Sequence, residues 1–363
     1  MKILIIGDHP PPFGGISVHV EGLASLLRRR GHDVRLLDVG RPRKRVPPTP
    51  ELIPAEGAVQ VAQEILTATS RGYLVHVHIC GHNVKSWLLA AAATNLSVPW
   101  APSPVITVHS GLAPAYLTSA PRRWLARLAC RPAGRVLCVN DEIARSLRRA
   151  GVRPGRLELL AAYLPASAGR PPPALAELRA RCSRLACAAL GKGPVYGADL
   201  LLQAFARARA ELPGLGLALF GAGAGPELEA RARLQGQGQL LALGELSHPE
   251  AVAVIAASDV FVRPTLADGD SNSVREALAL GVPVLATSVV QRPEGVHCAA
   301  PEAEPLAGAL VKLATEGRRD AGPRSAGAGD RLLEIYHALV AEPLALPASR
   351  AARLEPVRRP GRA

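Results

Sequence analysis

The chain has 363 residues, 48% of them hydrophobic, enough to bury a full core and long enough for two domains. Its 43 Lys and Arg against 30 Asp and Glu give a net charge of +13, a field that attracts phosphate, whether on nucleotides, nucleic acid or an anionic membrane face. Aromatic residues make up only 3% and no basic run is interleaved with them, which argues against stacking platforms and against nucleic acid as a partner.

The cysteines at 80, 130, 138, 182, 187 and 298 form no CxxC pair and no zinc spacing, so reduced thiols in a cytoplasmic protein are expected. The apolar start, Ile3 to Ile6, is too short for a signal-peptide core, and no apolar run approaches the roughly 20 residues of a spanning helix. A soluble protein, peripheral at most, is the expectation.

In chain order, Ile3–Ile6 reads as a buried parallel-type strand ending at Gly7. A Pro-rich loop through Gly14 and Gly15 then enters a helix with Val20, Leu23, Ala24 and Leu27 on its apolar face, Arg28 to Arg30 in its last turn and Gly31 as its stop. Val34–Val39 completes a β-α-β unit, without the G-x-G-x-x-G dinucleotide fingerprint. Residues 41–60, rich in Arg and Pro, read as a loop. Leu74–His78 is a strand, a helix surrounds Trp87–Ala93, and the strand Val105–Val108 ends in His109, at the edge where doubly wound folds place ligands. A lone His is more often structural than catalytic; His78 and His82 are weaker candidates beside it. Val136–Val139 is a strand, Asn140 caps a helix over Glu142–Ala150, and Leu157–Tyr163 closes a first domain over residues 1–164.

A Pro-rich linker, 165–173, leads to a second domain over 174–341 that repeats the alternation: strand Leu185–Leu190, helix Ala198–Arg209, strand Leu215–Phe220. The loop holding Gly221 and Gly223 precedes Pro226 at a helix start, a weak signal of phosphate binding. Strand Leu240–Leu243 and helix Pro249–Ala257 follow. Helices Pro305–Glu316 and Arg331–Val340 finish the fold, and 342–363 reads as a disordered basic tail.

The organising stretch is Arg263–Val284, a loop of small acidic and hydroxyl residues that becomes a helix and then, from Val282 to Ala286, a strand. The pattern becomes helical from Val274, and a helix that starts in the loop holding Ser271, Asn272 and Ser273 points unpaired N–H groups at the space above it, which suits a phosphate or a sugar nucleotide. Taken alone, Ser273 and Glu276 read as a capping box.

Asp268 and Glu276 together resemble the E-x7-E signature of the retaining glycosyltransferases of family 4 (glycosyl transferases group 1), with Asp in the first place. The resemblance covers residues 1–340 and implies a GT-B fold: α/β, two Rossmann-like domains facing a cleft, acceptor on the first and nucleotide sugar on the second. It further implies that Glu276 binds the donor ribose, that Asp268 and His109 lie beside the transferred sugar, and that Gly14 and Gly15 approach the diphosphate. The implied activity is metal-independent, with no cofactor besides the nucleotide sugar substrate. Family context implies a cell-surface polysaccharide or a lipid-linked glycan as acceptor, and the basic surface would suit work at the inner membrane face.

One departure stands out. The family has an Arg and then a Lys-Gly ahead of the helix that begins here at Ala198, both cations holding the diphosphate. This chain has Gly191 near the first position and Tyr196-Gly197 at the second. Lys192 and Arg263 are the expected substitutes. A degenerate binding or scaffold subunit, or another GT-B enzyme such as a nucleotide-sugar epimerase, are the alternatives.

Overall fold

The computed structural model describes residues 1–40, 47–97, 102–161, 168–234, 238–317 and 327–341. The first half opens with β1 (Lys2–Gly7), α1 (Gly15–Arg29), β2 (Asp33–Asp38) and β3 (Leu52–Pro54). It continues through α2 (Ala58–Ser70), β4 (Leu74–Ile79), α3 (Val84–Ser97) and β5 (Val105–Val108), then α4 (Ala113–Tyr116), α5 (Ala120–Cys130), β6 (Arg135–Cys138), α6 (Asp141–Arg149) and β7 (Leu157–Leu159). Its strands pair in parallel in the order β3-β2-β1-β4-β5-β6-β7.

The local reasons are visible in the side chains. On α1, Val20, Leu23, Ala24 and Leu27 are all buried, each Leu contributing about 1.5–3 kcal/mol by leaving water. Asn140 caps α6 as expected, its Oδ1 accepting the Ile143 N–H at 2.9 Å. The expected loop over 41–60 is corrected beyond residue 46: Leu52–Pro54 pairs with β2 as an edge strand, where a terminal proline is tolerated, and α2 starts at Ala58.

The second half runs α7 (Pro173–Ala180), β8 (Arg184–Ala189), α8 (Ala198–Glu211), β9 (Leu215–Phe220), α9 (Pro226–Leu234) and β10 (Leu240–Ala242). Then come α10 (His248–Ala257), β11 (Val260–Arg263), α11 (Asn272–Ala279), β12 (Val284–Thr287), β13 (Val296–Ala299) and α12 (Ala303–Glu316). This sheet is also parallel, ordered β10-β9-β8-β11-β12-β13. Each sheet reverses its strand order once, at β1/β4 and at β8/β11, and the loops leaving those carboxyl ends form the crevice where open α/β sheets bind ligands. The linker expected at 165–173 is described only from 168, and Pro173 already belongs to α7; the basic tail lies outside the described residues.

The last helix departs from the expected division. α13 (Gly327–Ala341) packs on the first sheet, burying Leu332, Leu333, Ile335, Tyr336 and Leu339 with Ile3, Ile5, Leu23 and Leu74. The Tyr336 hydroxyl reaches His76 Nδ1 at 2.5 Å. An apolar stripe states that a helix must be covered but not by which sheet, so its sequence position among second-half elements misplaced it.

Candidate active site

A cleft of about 580 Å³ opens where the two carboxyl edges face each other. His109, Asp268, Gly14, Gly15, Lys192, Gly221, Arg263, Ser271, Asn272, Ser273 and Glu276 all line it. Gly223 does not: its N–H bonds Leu190 O at 2.9 Å, and a Cβ there would overlap the Gly191 carbonyl, so it serves close packing of two loops. The halves touch across the cleft through Phe13 N–H to Glu245 Oε1 at 3.2 Å and Asn272 Nδ2 to Gly15 O at 3.2 Å. A Cβ on Gly111 would overlap the Asp268 carbonyl, so these two loops meet backbone to backbone.

Glu276 is buried in the first turns of α11, and the capping box is not what holds it there. The helix begins at Asn272 with Ser271 at its N-cap, and Ser273 Oγ lies 3.1 Å from Ser271 Oγ. Glu276 Oε1 instead meets His248 Nε2 at 2.6 Å, from the first residue of α10. Ser247 and Glu250 form the capping box of this region, fixing the start of α10 and hence the ring of His248. Oε2 of Glu276 has no bond among those described, and Asn272 Oδ1 is buried without a partner.

Asp268, expected beside the transferred sugar, and Arg263, expected at the diphosphate, are bonded to each other. Arg263 donates from Nε to Asp268 Oδ2 at 2.9 Å and from Nη2 to Oδ1 at 3.0 Å. Arg292 adds Nη1 to Oδ2 at 2.7 Å, Thr265 Oγ1 lies 3.2 Å from Oδ2, and Gly269 N–H donates to Oδ1 at 3.1 Å. Five donors fill the roughly four lone-pair sites of a carboxylate. Burial alone would raise the Asp268 carboxyl, yet the Arg263 and Arg292 guanidiniums hold it well below the usual carboxylate range. Two cations on one anion leave a net positive charge at the cleft floor. Arg292, with a side chain 3% exposed, was missed by sequence reasoning, because nothing in the Arg292-Pro293-Glu294 turn signals a partner 24 residues upstream.

Tyr196 explains the absent cation at 191. A Cβ on Gly191 would overlap the Tyr196 ring, and the Arg263 guanidinium lies 5.8 Å from that ring's centre. The ring thus fills the space that a longer side chain at 191 would need. Lys192 stays exposed at the rim.

Behind the rim stands a row of imidazoles. His78 Nδ1 lies 3.0 Å from His109 Nε2; His76 bonds Tyr336 Oη and, through Nε2, Thr107 Oγ1 at 2.7 Å. Burial, joined by the neighbouring imidazoles, lowers His78 and His109 well below the ordinary histidine value and His76 to about 3, so the row is neutral. Among the described residues, His19, His78 and His109 are the group whose ligand atoms lie close enough to hold a metal ion.

Two parallel α/β sheets facing each other over a cleft at both switch points define the GT-B class. The profile described as Glycosyl transferase 4-like domain matches residues 14–162, and that of Glycosyl transferases group 1 matches residues 183–316. The chain belongs to the glycosyl transferases group 1, the family 4 glycosyltransferases. Its fold is similar to HepE of Anabaena, solved in complex with UDP and glucose, with TM-score 0.66, 18% identity, and 93% and 98% of the two chains covered. Sucrose-phosphate synthase from Thermosynechococcus elongatus gives TM-score 0.65 at 18% identity over 94% and 95%. WaaG, a glycosyltransferase involved in lipopolysaccharide biosynthesis, gives 0.60 at 16% over 96% and 98%. No significant match was found among curated proteins.

Proposed function

We propose that the protein transfers a hexose, with retention, from a nucleotide diphosphate sugar to a glycan or lipid-linked acceptor in cell-surface polysaccharide synthesis. The observation that carries this is Glu276, a buried carboxylate oriented by His248 at the start of α11, on the floor of a cleft large enough for a sugar nucleotide. Glu276 Oε2 and Asn272 Oδ1 would accept ribose hydroxyls, while the N-termini of α1 and α11 point N–H groups at the phosphates. In place of the family's Arg and Lys, the diphosphate would meet Lys192 directly and the net charge of the Arg263, Arg292 and Asp268 group at short range. Such fixed charges stabilise a leaving diphosphate without a metal.

His109 is proposed beside the reacting sugar, and Asp268 as the residue that fixes the loop under it rather than as a free base. The first half would receive the acceptor. Exposed Trp124 on α5, flanked by Arg122, Arg123 and Arg127, supports contact with an anionic membrane face, and no helix among the described residues is long and apolar enough to cross one. HepE binding UDP in a similar fold supports a uridine nucleotide as the first to try.

The test is a thermal-shift panel of UDP, GDP and ADP with their sugars, followed by nucleotide-release and transfer assays on the best binder. A ligand at 100 times its dissociation constant raises stability by about 2.7 kcal/mol. Stabilisation by one nucleotide family with sugar transfer is expected. Stabilisation without release or transfer would favour the binding-subunit alternative, and recovery of an isomerised nucleotide sugar would favour an epimerase.

A further inference from the structure

Three imidazoles converge at the back of the first half. His19 comes from α1, His78 from β4 and His109 from the loop after β5, and each offers a ring nitrogen within 4.8 Å of the others. The β1/β4 switch point assembles them, since 59 and 31 residues of ordinary fold separate them in the chain. We propose that this cluster is a binding site for a divalent transition-metal ion of the zinc class, held by three neutral imidazoles. This inference does not rest on the sugar-transfer reading.

Proton bookkeeping supports it. His78 Nδ1 and His109 Nε2 are 3.0 Å apart, so between two neutral rings one nitrogen must donate and the other accept. An ion between them takes both lone pairs. Two nitrogens on one tetrahedral zinc, each at about 2.0–2.1 Å, stand roughly 3.4 Å apart, so a few tenths of an ångström of opening admits it. The other nitrogen of the His78 ring, Nε2, is buried without a partner, so no other polar contact holds His78 away from an ion at Nδ1.

The donor set selects the metal. Three imidazoles without a carboxylate suit zinc, cobalt, nickel or copper and offer nothing to magnesium or calcium. His76 is excluded as a ligand, since both its nitrogens are committed to Tyr336 and Thr107. The ion reaches the site by the cleft, which His109 lines and from which exogenous ligands reach the fourth position. Occupancy ties up a His109 nitrogen, so bound metal slows any chemistry that uses this ring.

The experiment strips the full chain with chelator and titrates it with Co²⁺ and Zn²⁺, reading visible absorption, stoichiometry and melting temperature. About one equivalent with the intense absorption of four-coordinate cobalt is expected, displaced by zinc and untouched by excess Mg²⁺. His19→Ala and His78→Ala should each weaken binding by roughly tenfold to a hundredfold, with a parent-like circular dichroism spectrum. His19→Asn serves if a core variant fails to fold. Absence of stoichiometric binding to folded parent overturns the proposal. Binding unchanged in the folded His19 variants, or lost instead in Cys80→Ser or His82→Ala, overturns it in favour of the neighbouring Cys80 and His82.

Discussion

Arg263 holds Asp268 by a two-point fork, Nε to Oδ2 at 2.9 Å and Nη2 to Oδ1 at 3.0 Å, across a five-residue loop at the cleft floor. The planar guanidinium sets the direction of that loop, and Arg292 closes the pair from the other side. Asp268→Asn therefore leaves two buried cations with a neutral partner. A loss of about 3–5 kcal/mol is expected in urea unfolding, the cost of breaking a buried ion pair from one side. A purely catalytic carboxylate would give normal stability with low turnover, and that result would reject the structural role.

Glu276→Gln keeps the volume and an oxygen for His248 while removing charge and acceptor capacity. Donor affinity should fall roughly tenfold or more, as for a charged hydrogen bond of about 1.5–3 kcal/mol, with little change in melting temperature. His248→Ala should weaken the donor through loss of orientation, and less than Glu276→Gln does. Calorimetry and melting on the same samples separate the two effects. Unchanged donor affinity in Glu276→Gln would remove the ribose assignment.

Gly191 and Tyr196 should behave as a coupled pair. Gly191→Arg alone drives its side chain into the Tyr196 ring and should lower the melting temperature, by overpacking of about 1–3 kcal/mol. Adding Tyr196→Lys vacates the ring and restores both cations of the family pattern. The double variant should recover stability and bind nucleoside diphosphate more tightly than the parent. Additive losses across the cycle would show that the positions are independent.

Lys192→Ala should reduce affinity for nucleoside diphosphate while leaving the bare nucleoside unaffected. The effect should be a few-fold at low salt and shrink as salt rises, because Lys192 is exposed and its field is screened within about 10 Å at 0.1 M. Equal losses for nucleoside and diphosphate would place the lysine elsewhere than at the phosphates.

Acid should destabilise the fold through its imidazole row. His76, His78 and His109 have folded pKa values lowered by burial, so below about pH 6.5 the unfolded chain takes up protons that the folded chain refuses. Stability is then full above about pH 6.5 and falls with acidification, by at most about 1.4 kcal/mol per pH unit for each such histidine. The Asp268 carboxylate, lowered in the fold, adds its own loss only below about pH 4. Melting temperatures from pH 8 to 5 read the first window. A flat profile there would mean that the row is hydrated or protonated in the fold.

Much of the molecule was legible in the chain because periodicity and stop signals are local. The α1 face at Val20, Leu23, Ala24 and Leu27, the Asn140 cap and the central strands follow from neighbours a few residues apart. The region over 47–60 was not, since β3 gains its order from β2 and not from its own composition. Strand-end placement was enough to bring eleven of the twelve candidate site residues to one cleft, and Gly223 failed because a glycine that permits loop packing looks the same as one that cradles phosphate.

The sequence by itself determined the alternation of strand and helix, the two glycine-bearing loops, the spacing of Asp268 and Glu276 and the family they resemble. Tertiary structure alone decided what each charge meets: Arg263 and Arg292 on Asp268, His248 on Glu276, Tyr196 in the space over Gly191, and α13 on the first sheet. The physical reason is range. Backbone propensity and amphipathic pattern act over a few residues and are written in the order of the chain, whereas a buried ion pair, a stacked ring or a histidine cluster exists only where the topology brings distant residues within bonding distance.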